Sequence, residues 1–161
     1  MPTPTYTLIQ EQVLGSAAAT VTFSSIPGTY KDLVLEAIPS GASANGQMNI
    51  TFNGDTGNWY SWTRLEGDGT TAASGRSSNQ ANLYLGYSYS ARPVMLLVNV
   101  FSYANTNVNK SLTSRYMDAT TQTWANAALY RKTDALTSMT VTHGAGTFNT
   151  GSTFRLWGVA G

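Results

Sequence analysis

Hydrophobic and polar positions alternate with a period of two along much of this chain, and that pattern predicts β-strands. In "ATVTFSS", Val21 and Phe23 face one side of the strand, while the intervening Thr and Ser residues face the other. In "STFRLWGV", Phe154 and Leu156 form an apolar side, but the opposite side carries Trp157. We therefore expect this last strand to be covered on both faces, with a neighbouring molecule covering the side that carries Trp157.

The strand signals recur at short intervals, separated by clusters of Gly, Pro, Asn and Ser, and no segment sustains helical spacing for three turns. The pattern predicts an all-β chain with little or no helix: an antiparallel, jelly-roll-like β-sandwich of about eight to eleven strands. The predicted strands are Tyr6–Leu14, Ala18–Phe23, Asp32–Ala37, Gln47–Phe52, Trp59–Glu66, Asn82–Tyr87, Val94–Ser102, Lys110–Met117, Trp124–Arg131, Leu136–Thr142 and Thr153–Val159.

Small polar residues mark the predicted connections between the strands. The segment from Gly67 to Gln80 is interpreted as the longest loop, and Ala42 to Gly46 and Tyr103 to Asn109 as shorter ones. In "SIPGTY", Pro27 and Gly28 predict a type II turn, in which Gly28 takes the positive φ. Neither a linker nor a repeat interrupts the pattern, so we predict one domain over residues 1–161, with a short extended N-terminal arm at about residues 1–5.

The composition indicates a neutral surface. Charged residues make up 11% of the chain, well below the roughly 25% of an average soluble domain, while hydrophobic residues make up 42%. Because the polar surface must be built from uncharged residues, electrostatic repulsion between copies is weak. This composition favours a component of an assembly.

The charge distribution and the apolar runs exclude several classes of partner. The net charge is +1 and no basic cluster occurs, so nucleic-acid binding is not expected. The longest apolar run, Val94 to Val98, is too short to span a bilayer, and "MPTPTYTLIQ" lacks the features of a secretory signal. There is no Cys to form a disulfide or a thiolate metal site.

Few residues suggest chemistry. His143 is the single histidine, and no nucleophile motif accompanies it, so it is interpreted as a strand-end residue beside a turn. Asn53, Asp55 and Gly57 resemble the first half of a calcium loop, but the completing Glu is missing, and the alternative is an Asx turn. We predict no catalytic residues, no cofactor and no metal, and therefore no enzyme.

Aromatic residues are more numerous than one core requires. "NWYSWTRL" and "LYLGYSYS" place rings on both sides of their strands, and rings left outside suit a subunit interface or stacking on a sugar. The predicted partner interface consists of Pro2, Pro4, Tyr6, Trp59, Tyr60, Trp62, Tyr87, Tyr89 and Trp157.

Three segments together resemble virion proteins of tailed bacteriophages, in particular those that infect cyanobacteria and other aquatic bacteria. They are "YTLIQEQVLGSAAATVTFSSIPGTYKDLVLEA", "ITFNGDTGNWYSWTRLEGDG" and the closing "GSTFRLWGVAG", about half of the chain. The resemblance implies a jelly-roll-like sandwich in the particle, which either cements the capsid shell as a decoration protein or forms part of the tail. Trp59 and Trp62 depart from it, since the relatives have smaller or single-ring residues there.

The resemblance also implies partners and a location. We expect a homotrimer that contacts the major capsid protein on the capsid surface of the virion, after synthesis in the host cytoplasm, with neither nucleic acid nor membrane as a partner. The alternative is a tail or fibre protein whose sandwich presents Trp59, Tyr60 and Trp62 to host carbohydrate.

Overall fold

The computed structural model describes residues 4–90, 92–118 and 120–161. These residues form twelve strands and no helix. No helix that could cross a membrane occurs in the described ranges. The strands are β1 (Tyr6–Val13), β2 (Thr20–Phe23), β3 (Asp32–Ile38), β4 (Gly46–Phe52), β5 (Tyr60–Gly67), β6 (Ala72–Gln80), β7 (Leu83–Ser88), β8 (Met95–Phe101), β9 (Lys110–Asp118), β10 (Gln122–Tyr130), β11 (Met139–His143) and β12 (Thr153–Val159).

The strands form two antiparallel sheets. The larger sheet has eight strands in the order β1-β12-β3-β8-β9-β10-β5-β6, and the smaller has four in the order β2-β11-β4-β7. Every pairing between neighbouring strands is antiparallel. The predicted fold class, an all-β, jelly-roll-like sandwich, is confirmed.

The core lies between the two sheets, and the alternation of side chains decides which residues enter it. In β3, Leu33, Leu35 and Ala37 are fully buried, while Glu36 between them points away. Both sheets contribute to a single cluster of buried side chains. Its largest apolar members include Phe23, Phe52, Phe148, Phe154, Tyr60, Tyr103, Tyr116 and Tyr130.

The predicted loop from Gly67 to Gln80 is wrong, because most of it is strand β6. A tight hairpin joins β5 to β6: the Asp68 Oδ1 atom accepts hydrogen bonds from the backbone N–H groups of Thr70 (2.9 Å) and Thr71 (2.6 Å). Gly69 adopts a φ of 90° in this turn. Backbone pairing with β5 holds β6 in place, so its small side chains do not prevent it from being a strand.

The predicted type II turn at Pro27–Gly28 is also wrong. Gly28 is not among the residues of positive φ; Ser25 is, with a φ of 54°. The chain turns at Ser25 because Ile26 enters the core and its N–H donates to Thr137 O at 3.0 Å. The carbonyl oxygen of Pro27, which follows this turn, accepts a hydrogen bond from the Tyr103 hydroxyl.

The two lateral edges of the sandwich differ. At the β1–β2 edge, the Gln10 side chain donates to Ser24 O at 2.8 Å, and the Gln12 side chain donates to Thr22 O at 2.7 Å. These bonds bridge the two sheets. At the other edge, β6 pairs with β5 alone and its residues are mostly exposed. The larger sheet therefore extends past the smaller one on this side.

Candidate functional site

Two of the predicted interface residues, Tyr6 and Trp157, lie together on the side of the larger sheet that points away from the smaller sheet, here called the outer face. Tyr6 is 56% exposed, and Trp157 is partly exposed. They converge because β1 and β12 are paired with Leu8 opposite Trp157 and Tyr6 opposite Val159. This outer face is the candidate functional site.

The strand registers order the outer face into rows that cross all eight strands. One row runs Glu11, Arg155, Glu36, Leu97, Arg115, Ala125, Leu65, Ser74. The next runs Leu8, Trp157, Val34, Asn99, Thr113, Ala127, Thr63, Arg76. Large apolar side chains predominate on β1, β12, β3 and β8, whereas Ala, Thr and Ser predominate on β9, β10, β5 and β6. We call these the bulky half and the small half.

Exposed apolar side chains are concentrated on this face. Among the described residues, Trp59 and Val108 are exposed large hydrophobics in loops, and the other six belong to the outer face. Those six are Tyr6, Leu8, Val13, Leu65, Phe101 and Met117. Monomeric proteins rarely leave so many apolar side chains on one contiguous surface, so the outer face has the character of a contact surface.

Shallow depressions follow one another across the outer face. The first, of about 310 Å³, is lined by Tyr6, Trp157, Val34, Leu97 and Asn99. A second, of about 430 Å³, extends from Leu97 and Asn99 to Thr113, Arg115 and Ala125 on the small half. The depressions are open to solvent along one side, so an extended partner could occupy both.

Charges are distributed unevenly over the outer face. On the bulky half, the Arg155 guanidinium pairs with Glu11 and, at 3.5 Å, with Glu36. These carboxylates raise the pKa of Arg155, chiefly through the hydrogen bond to Glu11. On the small half, neither Arg115 nor Arg76 has an acidic side chain within ion-pair distance among the described residues.

The predicted aromatic group Trp59, Tyr60 and Trp62 does not form one surface. Tyr60 is wrong as an interface residue, because it is fully buried and stacks on Tyr130 at 4.8 Å between ring centroids. Its hydroxyl accepts from Phe52 N (3.0 Å) and donates to Asp55 O (2.8 Å). Burial raises the pKa of Tyr60 to about 12.

The flanking tryptophans point in different directions. Trp59 is 42% exposed in the loop before β5, with the Lys132 ammonium 5.2 Å from its ring. Trp62 is only partly exposed and packs edge-on against Tyr84 on the inner side of the larger sheet. The register explains this: Trp62 and Tyr60 share the inner face because they are two residues apart in β5.

The remaining predicted residues lie elsewhere. Tyr87 and Tyr89 are partly exposed neighbours whose rings are 5.1 Å apart at the β7 edge. The Tyr89 ring stacks under the Arg92 guanidinium at 3.9 Å. Pro4 is exposed, and Pro2 lies outside the described residues.

An arginine that the sequence reasoning missed sits among the inner aromatic rings. The Arg64 guanidinium lies 4.2 Å from the Trp124 ring, 5.2 Å from Trp62 and 5.3 Å from Tyr84. Glu66 Oε2 is 2.8 Å from Arg64 Nε. The Nε–H group is not directed at that oxygen, so the contact is an ion pair and not a hydrogen bond. The alternation "WTRLE" would have placed Trp62, Arg64 and Glu66 on one side of the strand.

The loop that resembled part of a calcium site is an Asx turn. Asp55 Oδ1 accepts from Gly57 N at 2.9 Å, while Asp55 Oδ2 is 2.7 Å from Lys132 Nζ and accepts from the Tyr130 hydroxyl. The hydrogen bond from Lys132 is the largest cause of the lowered pKa of Asp55. Within residues 4–90, 92–118 and 120–161, no cluster of acidic and histidine side chains could hold a metal ion.

His143 is the last residue of β11, at a strand end as predicted, and it is buried. Its Nδ1 atom accepts a hydrogen bond from Ala145 N at 3.2 Å, and its ring packs edge-on against Phe148 at 5.2 Å. Burial lowers the pKa of His143. The imidazole therefore contributes to the packing of the turn after β11.

No protein-family model matches the chain, and no curated protein matches it either. Among solved structures, the galectin LEC-6 of Caenorhabditis elegans aligns over 94% of this chain and 96% of its own, at 10% identity and a TM-score of 0.39. The alginate lyase Aly36B aligns over 92% and 77%, at 12% identity and 0.37. A human SPRY domain aligns over 88% and 84%, at 8% identity and 0.33. Likenesses this distant carry no argument about function.

Proposed function

We propose that this chain is a structural protein of a tailed-bacteriophage particle, a capsid decoration or cement protein that contacts its neighbours through the outer face of the larger sheet. The observation that carries the proposal is the concentration of exposed apolar side chains on that face, together with the resemblance of three sequence segments to phage virion proteins. The major capsid protein is the proposed partner, on the outside of the shell.

The size of the outer face suits this role. Eight strands spaced by about 4.8 Å, each about 25 Å long, form a face on the order of 800 Å². A standard protein interface buries about this area on each partner. The apolar part of such a contact contributes about 25 cal/mol per Å² before the cost of association is subtracted. Repetition over many identical sites multiplies the effect on the shell.

The proposal is tested by counting copies in purified particles with quantitative mass spectrometry. A decoration protein is expected on the order of hundreds of copies per particle, as the symmetry of a shell requires. A Leu97→Arg variant, which places a charge at the centre of the outer face, is expected to be lost from particles, and Thr22→Arg on the exposed side of the smaller sheet is expected to remain. Only a few copies, or equal incorporation of both variants, would contradict a shell role.

A carbohydrate-binding role on a tail or fibre is a second candidate, favoured by one observation. The depression between Tyr6 and Trp157 combines partly exposed rings with the amide of Asn99, an arrangement that suits stacking and hydrogen bonding to a sugar. Under this candidate, the Tyr6→Ala/Trp157→Ala double variant abolishes adsorption to host cells and leaves particles intact. Trp59→Ala is the matched control, since Trp59 is an exposed ring away from the outer face. Normal adsorption by the double variant would exclude the candidate.

A further inference from the structure

The bulky and small halves of the outer face are complementary to each other, and they occur on the same molecule. We propose that two copies of this chain pack outer face against outer face, about a two-fold axis that runs parallel to the strands between β8 and β9. The inference rests on the proposed function and assigns the outer face to a second copy, so that the major capsid protein would contact other surfaces of the dimer.

The shape of the face supports this arrangement. Rotation about that axis places β1, β12, β3 and β8 of one copy over β6, β5, β10 and β9 of the other. Trp157 then faces the strand that carries Thr63, and Val34 faces the strand that carries Ala127. Packed sheets need large side chains opposite small ones, since their side chains interdigitate across a gap of about 10 Å.

The charges support the same axis. The outer side of the bulky half carries three carboxylates, of Glu11, Asp32 and Glu36, and one guanidinium, of Arg155. The outer side of the small half carries the guanidinium groups of Arg115 and Arg76 and no carboxylate. In the dimer the excess negative charge of each copy lies over the positive charge of the other.

One pair of charges becomes close in this arrangement. Arg115 lies in the same row as Glu36, two strands apart within one copy. Across the axis, β9 of one copy faces β8 of the other, so Arg115 is only about one strand spacing, ~4.8 Å, from the position opposite Glu36 of the second copy. Both arginines of the small half lack an acidic partner within the described part of the chain, which leaves them available.

The alternative two-fold axis, perpendicular to the strands, is unfavourable. It would place each strand over its own copy, so that the bulky half would lie over the bulky half and the small half over the small half. Large side chains would then collide on one half and leave a gap on the other, and like charges would lie opposite one another. Shape and charge thus select the same axis.

The test is the mass of the purified chain in solution, measured by analytical ultracentrifugation over a range of concentrations. We expect twice the mass of the chain in the micromolar range. Arg115→Glu places a carboxylate near Glu36 of the second copy, and we expect it to weaken dimerisation by about tenfold or more. Gln47→Glu, on the exposed side of the smaller sheet, is the control and is expected to dimerise normally.

Exchanging the charges of Arg115 and Glu36 distinguishes a loss of the dimer contact from a loss of the fold. The Arg115→Glu/Glu36→Arg double variant restores opposite charges across the proposed interface, and we expect it to regain most of the affinity that Arg115→Glu loses. A monomeric wild-type chain at about 100 μM, where even a weak interface of this kind assembles, would overturn the proposal. A trimer, as the resemblance to virion proteins implies, would overturn it as well, and so would unchanged dimerisation of Arg115→Glu.

This outcome is independent of the test of the proposed function. A dimer in solution from a chain that is absent from virions would refute the virion role and leave the dimer standing. Conversely, a monomer in solution that occurs in hundreds of copies per particle would refute the dimer and support the virion role.

Discussion

The two sides of the eight-stranded sheet are built from the same strands and have opposite characters. In β8, Leu96 is fully buried between the sheets, and its neighbour Leu97 lies on the outer face. In β9, the Lys110 ammonium is buried and donates to three backbone carbonyls, whereas Arg115 is exposed and lacks an acidic partner among the described residues. The inner side holds the core of the fold, and the outer side lies outside that core.

The leucine pair in β8 gives the largest expected effect. Leu96→Ala removes a fully buried side chain and leaves a cavity, so we expect it to lower the free energy of unfolding by about 4 kcal/mol. Leu97→Ala is expected to lower it by less than about 1 kcal/mol, because little packing is lost in the isolated chain. Both are compared by urea denaturation in the Arg115→Glu background, so that association does not contribute. Equal losses would mean that the outer face is part of the folding core.

The second-largest effect on the free energy of unfolding is expected for the two positively charged residues of β9 that differ in burial, Lys110 and Arg115. The Lys110 ammonium donates to Val108 O (3.0 Å), Thr133 O (2.9 Å) and Asn105 O, so it joins the loop before β9 to the loop after β10. Lys110→Met leaves these carbonyls without their donor, and we expect a loss of about 3 kcal/mol in the free energy of unfolding. Arg115→Met is the matched variant on the outer face and, at concentrations at which the chain is monomeric, is expected to change the free energy of unfolding by no more than about 0.5 kcal/mol. Similar losses in the free energy of unfolding for Lys110→Met and Arg115→Met would contradict the difference between the inner and outer sides of the sheet.

Alkaline pH is expected to act on the inner side through its tyrosines. Burial raises the pKa of Tyr60 and of Tyr84 to about 12, and it also raises the pKa values of Tyr116 and Tyr130. In the unfolded chain these hydroxyls ionise near their usual pKa of about 10, so unfolding releases protons above that pH. Stability is therefore fully present below about pH 10 and declines as the pH rises towards about 12.

This decline is measured by urea denaturation at a series of pH values, with tyrosinate absorbance recorded in parallel. Tyr60→Phe removes one of the ionising groups, so its stability should fall less steeply over the same pH window. Because the variant also loses the hydrogen bonds to Phe52 N and Asp55 O, its stability at neutral pH is expected to be lower by about 1–2 kcal/mol. A wild-type stability that stays constant through this window would show that these hydroxyls are not protected by folding.

Most strands could be predicted from the sequence, because their alternation and their turn residues are local signals. β6 could not be predicted from its own composition: "AASGRSSNQ" has no apolar side to bury, and only pairing with β5 makes it a strand. A sequence signal was nevertheless present in "GDGTT", since Asp-Gly between two extended segments is typical of a tight hairpin.

The candidate site was predicted only in part. Tyr6 and Trp157 lie outside the core, where an interface role stays a prediction, but Tyr60 was assigned to the surface although it is buried. Alternation shows which residues share a side of a strand, but it does not show which side the second sheet covers. In β5, the inner side carries Trp62, Arg64 and Glu66 beside Tyr60. Both sides of this strand therefore mix apolar and polar residues, and the sequence does not show which side is buried.

The sequence by itself determined that this chain is an all-β sandwich, because the period of two and the turn residues are properties of short segments. The tertiary structure decided which of two amphipathic sides became the core and which strands became neighbours. It thereby brought Tyr6, Val34, Leu97 and Trp157, which are far apart along the chain, onto one face. The reason is physical: strand order and sheet stacking depend on contacts between distant segments, and the local pattern does not contain them.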